Sequence, residues 1–291
     1  ESHNNEIDST GNFPLEEEVY KAIEKSFIHP ALRDWPYAEA LSYSKGKMVE
    51  TADIKGTLHC HSTYSDGVHS LEAMAKAVEQ MGHEYFGICD HSRSAGYAGG
   101  LSEQRVAEQH AEIDKLNAAN PNFKIFKGIE SDILVDGSLD YPEEILKQFD
   151  FIVASVHSSL RMDEAKATAR LIRAVENPYT TILGHPSGRL LLSRRAYPID
   201  YPKLIDACAA NGVSIELNAH PYRLDIDWRW IPRCVEKGVK ISINPDAHRI
   251  EGLGDIRYGI LVAQKAGLKA NQVLNCMRKN EFEHWLAARK G

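Results

Sequence analysis

Cysteine is scarce and poorly spaced for cross-linking. Cys60, Cys89, Cys208, Cys234 and Cys276 are spread over 291 residues, and none forms a C-x-x-C pair. That excludes a disulfide framework and leads us to expect a reducing, cytoplasmic setting. Basic residues do not predominate either. The chain has 34 Lys and Arg against 41 Asp and Glu, a net charge of -7, which excludes a generally basic nucleic-acid binder. A local positive groove remains compatible with that balance. No apolar run approaches the roughly 18 residues of a membrane-spanning helix, and no signal-peptide pattern is visible, so no membrane partner is expected. The first residue is Glu1 rather than Met, as in a processed or trimmed piece. The remaining composition, 43% hydrophobic and 26% charged, is ordinary for a globular chain. It suits one large α/β barrel or two smaller domains.

Residues 1–12 are polar and aperiodic, and read as a flexible lead-in. Residues 15–27 pattern as a short amphipathic helix, and residues 1–50 together read as a segment preceding the main domain, 51–291. From residue 51 onward, β-rich runs alternate with helical stretches. The runs are 54–61, 85–91, 123–133, 149–157, 180–185, 213–220 and 239–248. Helical patterns cover 70–82, 101–120 and 164–177, and Gly82, Gly212 and Gly238 sit where helices stop. Seven β/α repeats predict a parallel sheet, closed into a barrel or doubly wound.

Each expected strand finishes in side chains able to bind a metal. They are His59 and His61 with Asp66 in the following loop; Asp90 and His91; Glu130 and Asp132; His157; His185; Asn218 and His220; and Asp246 and His248. Parallel strands deliver their C-terminal ends to one face. Period two puts His59 and His61 on one side of the strand and Cys60 on the other, and does the same for Asp246 and His248 around Ala247. Any one of these histidines is more simply a hydrogen-bonded structural residue, and Glu130 or Asp246 alone a cap or surface group. Such accidents at every strand end are far less frequent than a metal site built from all of them. His69 and His83 lie on or beside a helix, and His3, His29, His110 and His284 have no comparable setting. His220 stays ambiguous.

These residues resemble the PHP (polymerase and histidinol phosphatase) superfamily of metal-dependent phosphoesterases. The carriers are "HCHSTYSD", "CDH", "GIESDI", "SVHS", "LGHP" and "PDAH". Within it, "GIESDILVDGSLDYPEEIL", "ILGHPSGRLLLSRRAYPID", "IELNAHPYRLDI" and "ISINPDAH" are similar to the C-terminal PHP domain of bacterial family X DNA polymerases. The lead-in resembles the segment before that domain. Fifty residues cannot hold a polymerase module, so the chain reads as that domain excised or as a stand-alone relative. His220 stands where those polymerases carry glutamine.

The resemblance implies a distorted (β/α)7 barrel with up to three divalent ions. One ion would take His59, His61, Glu130 and Asp246, which are also the catalytic set. A second would share Glu130 and add His157 and His185; a third would take Asp66, His91 and His248. Imidazole and carboxylate without thiolate suit Zn, Mn or Fe. Arg93, Arg189, Arg223 and Arg249 lie in loops after strand ends, where guanidinium could hold a substrate phosphate. Arg194 and Arg195 share that position, and a solvated surface role is open for each. Tyr64, Tyr97 and Tyr222 are either base-stacking platforms or packing residues. The expected activity is hydrolysis of phosphodiesters at DNA 3′ ends, with a possible polymerase module in the intact protein. The alternatives are a small-molecule phosphatase, for histidinol phosphate or a nucleotide, and a non-catalytic metal-stabilised module.

Overall fold

The computed structural model describes residues 15–290, so the expected flexible stretch at 1–12 lies outside the described residues. Seven strands follow one another in sequence order: β1 (Gly56–Thr57), β2 (Tyr85–Ile88), β3 (Lys124–Asp132), β4 (Phe151–Ser155), β5 (Ile182–Leu183), β6 (Ser214–Asn218) and β7 (Ile241–Asn244). Every neighbouring pair is parallel. The helices between them cover the outside, giving a nearly closed (β/α)7 barrel. Their starts follow local chemistry. Ser70, Ser102 and Asp163 accept backbone N–H groups at the heads of Leu71–Gln80, Glu103–Ala119 and Glu164–Val175. The three glycines expected at helix stops all adopt positive φ.

The first and fifth strands are much shorter than the runs expected at 54–61 and 180–185. β1 pairs with β2 only through Gly56 and Thr57, so His59, Cys60 and His61 continue beyond the regular ladder. Cys60 instead meets Ala247 across the seam, where the His61 N–H donates to the Ala247 carbonyl at 2.8 Å.

Asn275 fills the rest of that seam. Its side chain accepts from the Ile243 N–H at 3.0 Å and donates to the carbonyls of Ile243 at 2.5 Å and Gly56 at 3.2 Å. Its own carbonyl accepts from the Lys55 N–H at 2.8 Å. One buried side chain therefore stands in for missing strand–strand bonds. Asn275→Ala should lower unfolding free energy by about 2–4 kcal/mol, because it strands several buried backbone groups. Denaturant titration reads this; a loss below about 1 kcal/mol would mean that the seam is held otherwise.

The barrel interior is apolar near the strand starts. Phe282, from the C-terminal helix Lys279–Lys290, stacks on Tyr85 with ring centroids 5.1 Å apart and meets Phe126 edge-on at 5.0 Å. Phe151, Val153 and Ile182 complete that cluster. With this end plugged by packing, the polar side chains concentrate at the opposite end.

The lead-in helix covers Glu16–Ala22, shorter than the periodicity at 15–27 suggests. The segment 15–50 buries Ile28, Leu32 and Ala40 in a small cluster of its own. It docks onto the helix Ile256–Lys265, where the Trp35 indole N–H donates to the Lys265 carbonyl at 2.7 Å. Gln264 donates to the Val49 carbonyl at 3.0 Å.

Candidate metal centre

All nine residues expected as ligands converge at the C-terminal strand ends. Glu130, 1% exposed, is the hub. Its Oε1 lies 2.9 Å from His185 Nε2, 3.1 Å from His157 Nε2 and 3.3 Å from His59 Nε2. Its Oε2 lies 3.0 Å from His91 Nδ1. Asp246 Oδ1 is 3.2 Å from His61 Nε2 and 3.7 Å from His59 Nε2. Asp66 reaches His248 at 3.4 Å and His91 at 3.6 Å. Three groups bring ligand atoms within 4.8 Å of one another: His61, Asp66, His91 and His248; His59, His61 and Asp246; and His91, Glu130 and His157. His61 and His91 thus stand between groups that the sequence allots to separate ions.

A divalent cation fits this donor set. The buried ring atoms His61 Nδ1 and His185 Nδ1 have no hydrogen-bond partner, and His59 Nε2 and His91 Nδ1 approach Glu130 without hydrogen-bond geometry, an arrangement that is unfavourable unless something else meets them. The donors are imidazole and carboxylate only, since Cys60 and Cys89 are buried and their thiols are pushed upward by burial. Asp246 adopts φ +52°, a left-handed conformation uncommon outside glycine and asparagine-like residues. Such backbone is retained where the side chain's position matters.

The charges are strongly coupled. Burial opposes ionisation of Glu130, yet His157, His59 and His91 outweigh it and hold the carboxyl well below its usual range. Asp246 is likewise held low against burial by His59, His61 and Arg223. Burial also works against protonated His157, but Glu130 and Asp132 push it up to about 10. His248 rises to about 9 against burial, through Asp66 and Asp246. His61 goes the other way, down to about 3, from burial and the neighbouring His248 and His91.

Several carboxylates that look like ligands in the sequence serve instead to hold ligands. Asp132 Oδ1 lies 2.5 Å from His157 Nδ1 and orients that ring. Asp90 turns away and accepts from Ser62, Ser65 and Gln109, fixing the loop that carries Asp66. Asn218 donates to Asp246 at 3.0 Å and to Glu216 at 3.2 Å. His220 accepts the Tyr222 N–H at 3.3 Å and joins none of the three ligand groups.

Sequence reasoning missed Glu216. This fully buried residue lies 2.6 Å from His59 Nδ1 and accepts the His185 N–H at 2.7 Å. A carboxylate behind a ligand imidazole fixes its tautomer and raises its basicity. Period two from Asn218 to Glu216 on strand β6 was the available signal.

The arginines separate. Arg223 Nε lies 3.2 Å from Asp246 Oδ2, and its Nη1 is buried without a partner, beside the centre. Arg189 is engaged elsewhere, donating to the Arg223 carbonyl at 2.8 Å and to that of Leu224, and pairing with Asp227. Arg93 donates to the Asp140 carbonyl at 2.7 Å and pairs with Glu103, away from the ligand groups. Arg249 is exposed. Tyr64 is a packing residue, its hydroxyl donating to Glu112 at 2.7 Å.

With that geometry in hand, comparison with known proteins is informative. The family model for the PHP domain matches residues 57–220. The chain belongs to the PHP-domain family. The "DNA polymerase/3'-5' exonuclease PolX" of Bacillus subtilis is 40% identical over 275 residues, 94% of this chain and 48% of that protein. A "Probable phosphatase" of Acetivibrio thermocellus is 29% identical over 244 residues, 80% of this chain and 95% of the relative. This PHP chain thus spans about half of the Bacillus protein and nearly all of the Acetivibrio one. Among solved structures, the histidinol phosphate phosphatase of Lactococcus lactis, complexed with zinc, L-histidinol and phosphate, superposes with a TM-score of 0.54. At 17% identity, over 74% of this chain and 94% of that one, it shows that the PHP barrel is shared. Among the described residues, no helix is long and apolar enough to cross a membrane.

Proposed function

We propose that this PHP domain hydrolyses phosphodiester bonds at DNA 3′ ends with divalent metal ions, as a 3′–5′ exonuclease or end processor. The observation that carries it is the convergence of all nine ligand-type residues, Glu130 among them, on one centre in a chain 40% identical to the Bacillus polymerase/exonuclease. His59, His61, Glu130 and Asp246 would hold one ion, Glu130, His157 and His185 a second, and Asp66, His91 and His248 a third. Zn, Mn and Fe all suit these ligands. Bound divalent ions supply a nucleophilic water at neutral pH and neutralise charge on phosphoryl oxygens.

The chain's own residues do the placing. Glu216 and Asp132 orient His59 and His157. Arg223, beside Asp246, is placed to donate to a non-bridging phosphoryl oxygen. Water adds to phosphorus, the ester P–O bond breaks, and the alcohol leaves with a proton.

The test is a 5′-labelled single strand incubated with the protein and Mn. Shortening from the 3′ end is expected; an intact strand under conditions that load metal would overturn the reading. Small-molecule phosphomonoester hydrolysis is the second reading, supported by the phosphatase-named relatives. Relative rates on oligonucleotides and on small monoesters separate the two. A polymerase module in the intact protein is compatible with the 48% coverage of the Bacillus relative.

The allotment of ligands carries its own prediction. Asp66→Ala should lower bound metal by about one ion per chain and leave the ion at His59 and His61. Metal analysis after gel filtration reads it, and an unchanged metal content would refute the allotment.

A further inference from the structure

Tyr97 is 72% exposed, yet its ring centroid lies only 6.2 Å from that of His91 and 6.4 Å from that of His157. An aromatic ring that serves packing would be buried. This one stands beside two ligand-type rings and stays largely in solvent. The loop beneath it is fixed at many points. Ala95, Ala98 and Leu101 are buried, and the Leu101 N–H donates to the His91 carbonyl at 2.8 Å. Ser94 donates its N–H to Asp140 at 2.5 Å and its hydroxyl to Asp132 at 2.8 Å, the carboxylate that orients His157. A Cβ on Gly100 would lie 1.9 Å from the Ser92 carbonyl oxygen, so the turn that presents Tyr97 requires glycine there. The loop is thus anchored through Ala95, Ala98 and Leu101 while the Tyr97 ring stays in solvent.

Charge lies beside the same centre: Arg223 Nε is 3.2 Å from Asp246 Oδ2, and its Nη1 is buried without a partner. A phosphate held by the metal ligands and Arg223 would carry its organic substituent past the Tyr97 ring. An exposed aromatic ring there suits a flat, weakly polar group, and on the DNA strand of the phosphodiesterase reading that group is a nucleobase.

We infer that Tyr97 is the substrate-recognition platform of this site, stacking on a nucleobase adjoining the scissile phosphate. The inference rests on the phosphodiesterase reading above, and its test has a readout that does not depend on turnover. Two single strands carry 2-aminopurine at the last or the penultimate position from the 3′ end. Stacking quenches this fluorophore, so wild-type protein should quench at least one strand. Tyr97→Ala should abolish the quenching, and Tyr97→Phe should retain it. In hydrolysis, Tyr97→Ala should raise KM about tenfold with kcat little changed. A strand whose two final residues lack bases should show no difference between wild type and Tyr97→Ala. Equal quenching by wild type and Tyr97→Ala, or none by wild type, overturns the platform. So does loss of quenching in Tyr97→Phe, which would transfer the role to the hydroxyl. A strand that is quenched through Tyr97 but never cut upholds the platform and overturns only the hydrolytic reading.

Discussion

Glu130→Gln should abolish hydrolysis, lowering kcat by at least about a thousandfold, and should strip most of the bound metal. The substitution keeps the side-chain shape and removes the one charge shared by both sides of the centre. Glu130 lies within 3.3 Å of nitrogen atoms on His59, His91, His157 and His185, and it is almost fully buried. Loss of a single preorganised polar group at a reacting centre lowers rates by about 10²–10³. Here the change also removes the carboxylate proposed to join two ions, so the effect should exceed that range. Folding suffers as well. The glutamine leaves His59 and His157, whose proton affinity the carboxylate raises, unbalanced, and breaking a buried ion pair from one side costs about 3–5 kcal/mol. Metal analysis, steady-state rates and denaturant melts should therefore move together. A variant that keeps its full metal content and a rate within tenfold of wild type would show that Glu130 is not the bridge.

Much of that centre was legible because strand geometry is simple. His59 with His61 follows from period two, and parallel order brings all seven strand ends to one face. Asp246 and His248 lie past β7, where a left-handed residue at Asp246 replaces strand alternation. What the sequence hid depends on partners remote in the chain. Arg189 looks like a phosphate ligand until the loop after β6 folds beneath it and offers the carbonyls of Arg223 and Leu224. Asp132 and Glu130 share a strand face, but only the height of His157 decides that Asp132 meets Nδ1. Glu216 was passed over because it lies two residues before the strand end, one layer deeper than the ligands. Asn275 gave no signal at all, since nothing in its neighbourhood announces that the barrel fails to close by strand pairing. The tyrosines show the same limit: Tyr64 and Tyr97 read alike in sequence, and only Tyr97 keeps its ring in solvent.

The protein stripped of metal should lose stability as pH rises from about 7 to about 10, whereas the metal-loaded protein should not. The sign follows from the raised histidines. His248 and His157 hold their protons to about 9 and about 10 in the fold, against an ordinary value near 6.5. Groups with folded values above unfolded ones stabilise fully below the unfolded value. Their contribution disappears as pH climbs through the folded values. His61, down at about 3, has the opposite sign and weakens the fold only as pH falls below about 6.5. When metal is bound, the same rings are neutral ligands, and proton competition for them fades as pH rises. The gap in Tm between loaded and chelated protein should therefore widen steadily between about pH 7 and 9.5. Lysines, tyrosines and cysteines titrating in that range affect both samples alike and largely cancel in the gap. In a domain of this size 1 kcal/mol corresponds to about 2 °C, and His157 alone accounts for on the order of a few kcal/mol. A widening of several degrees is expected in paired melts with and without chelator. A gap that stays constant or narrows would mean that protons do not replace metal at Glu130 and Asp66, and that the buried carboxylates are balanced in some other way.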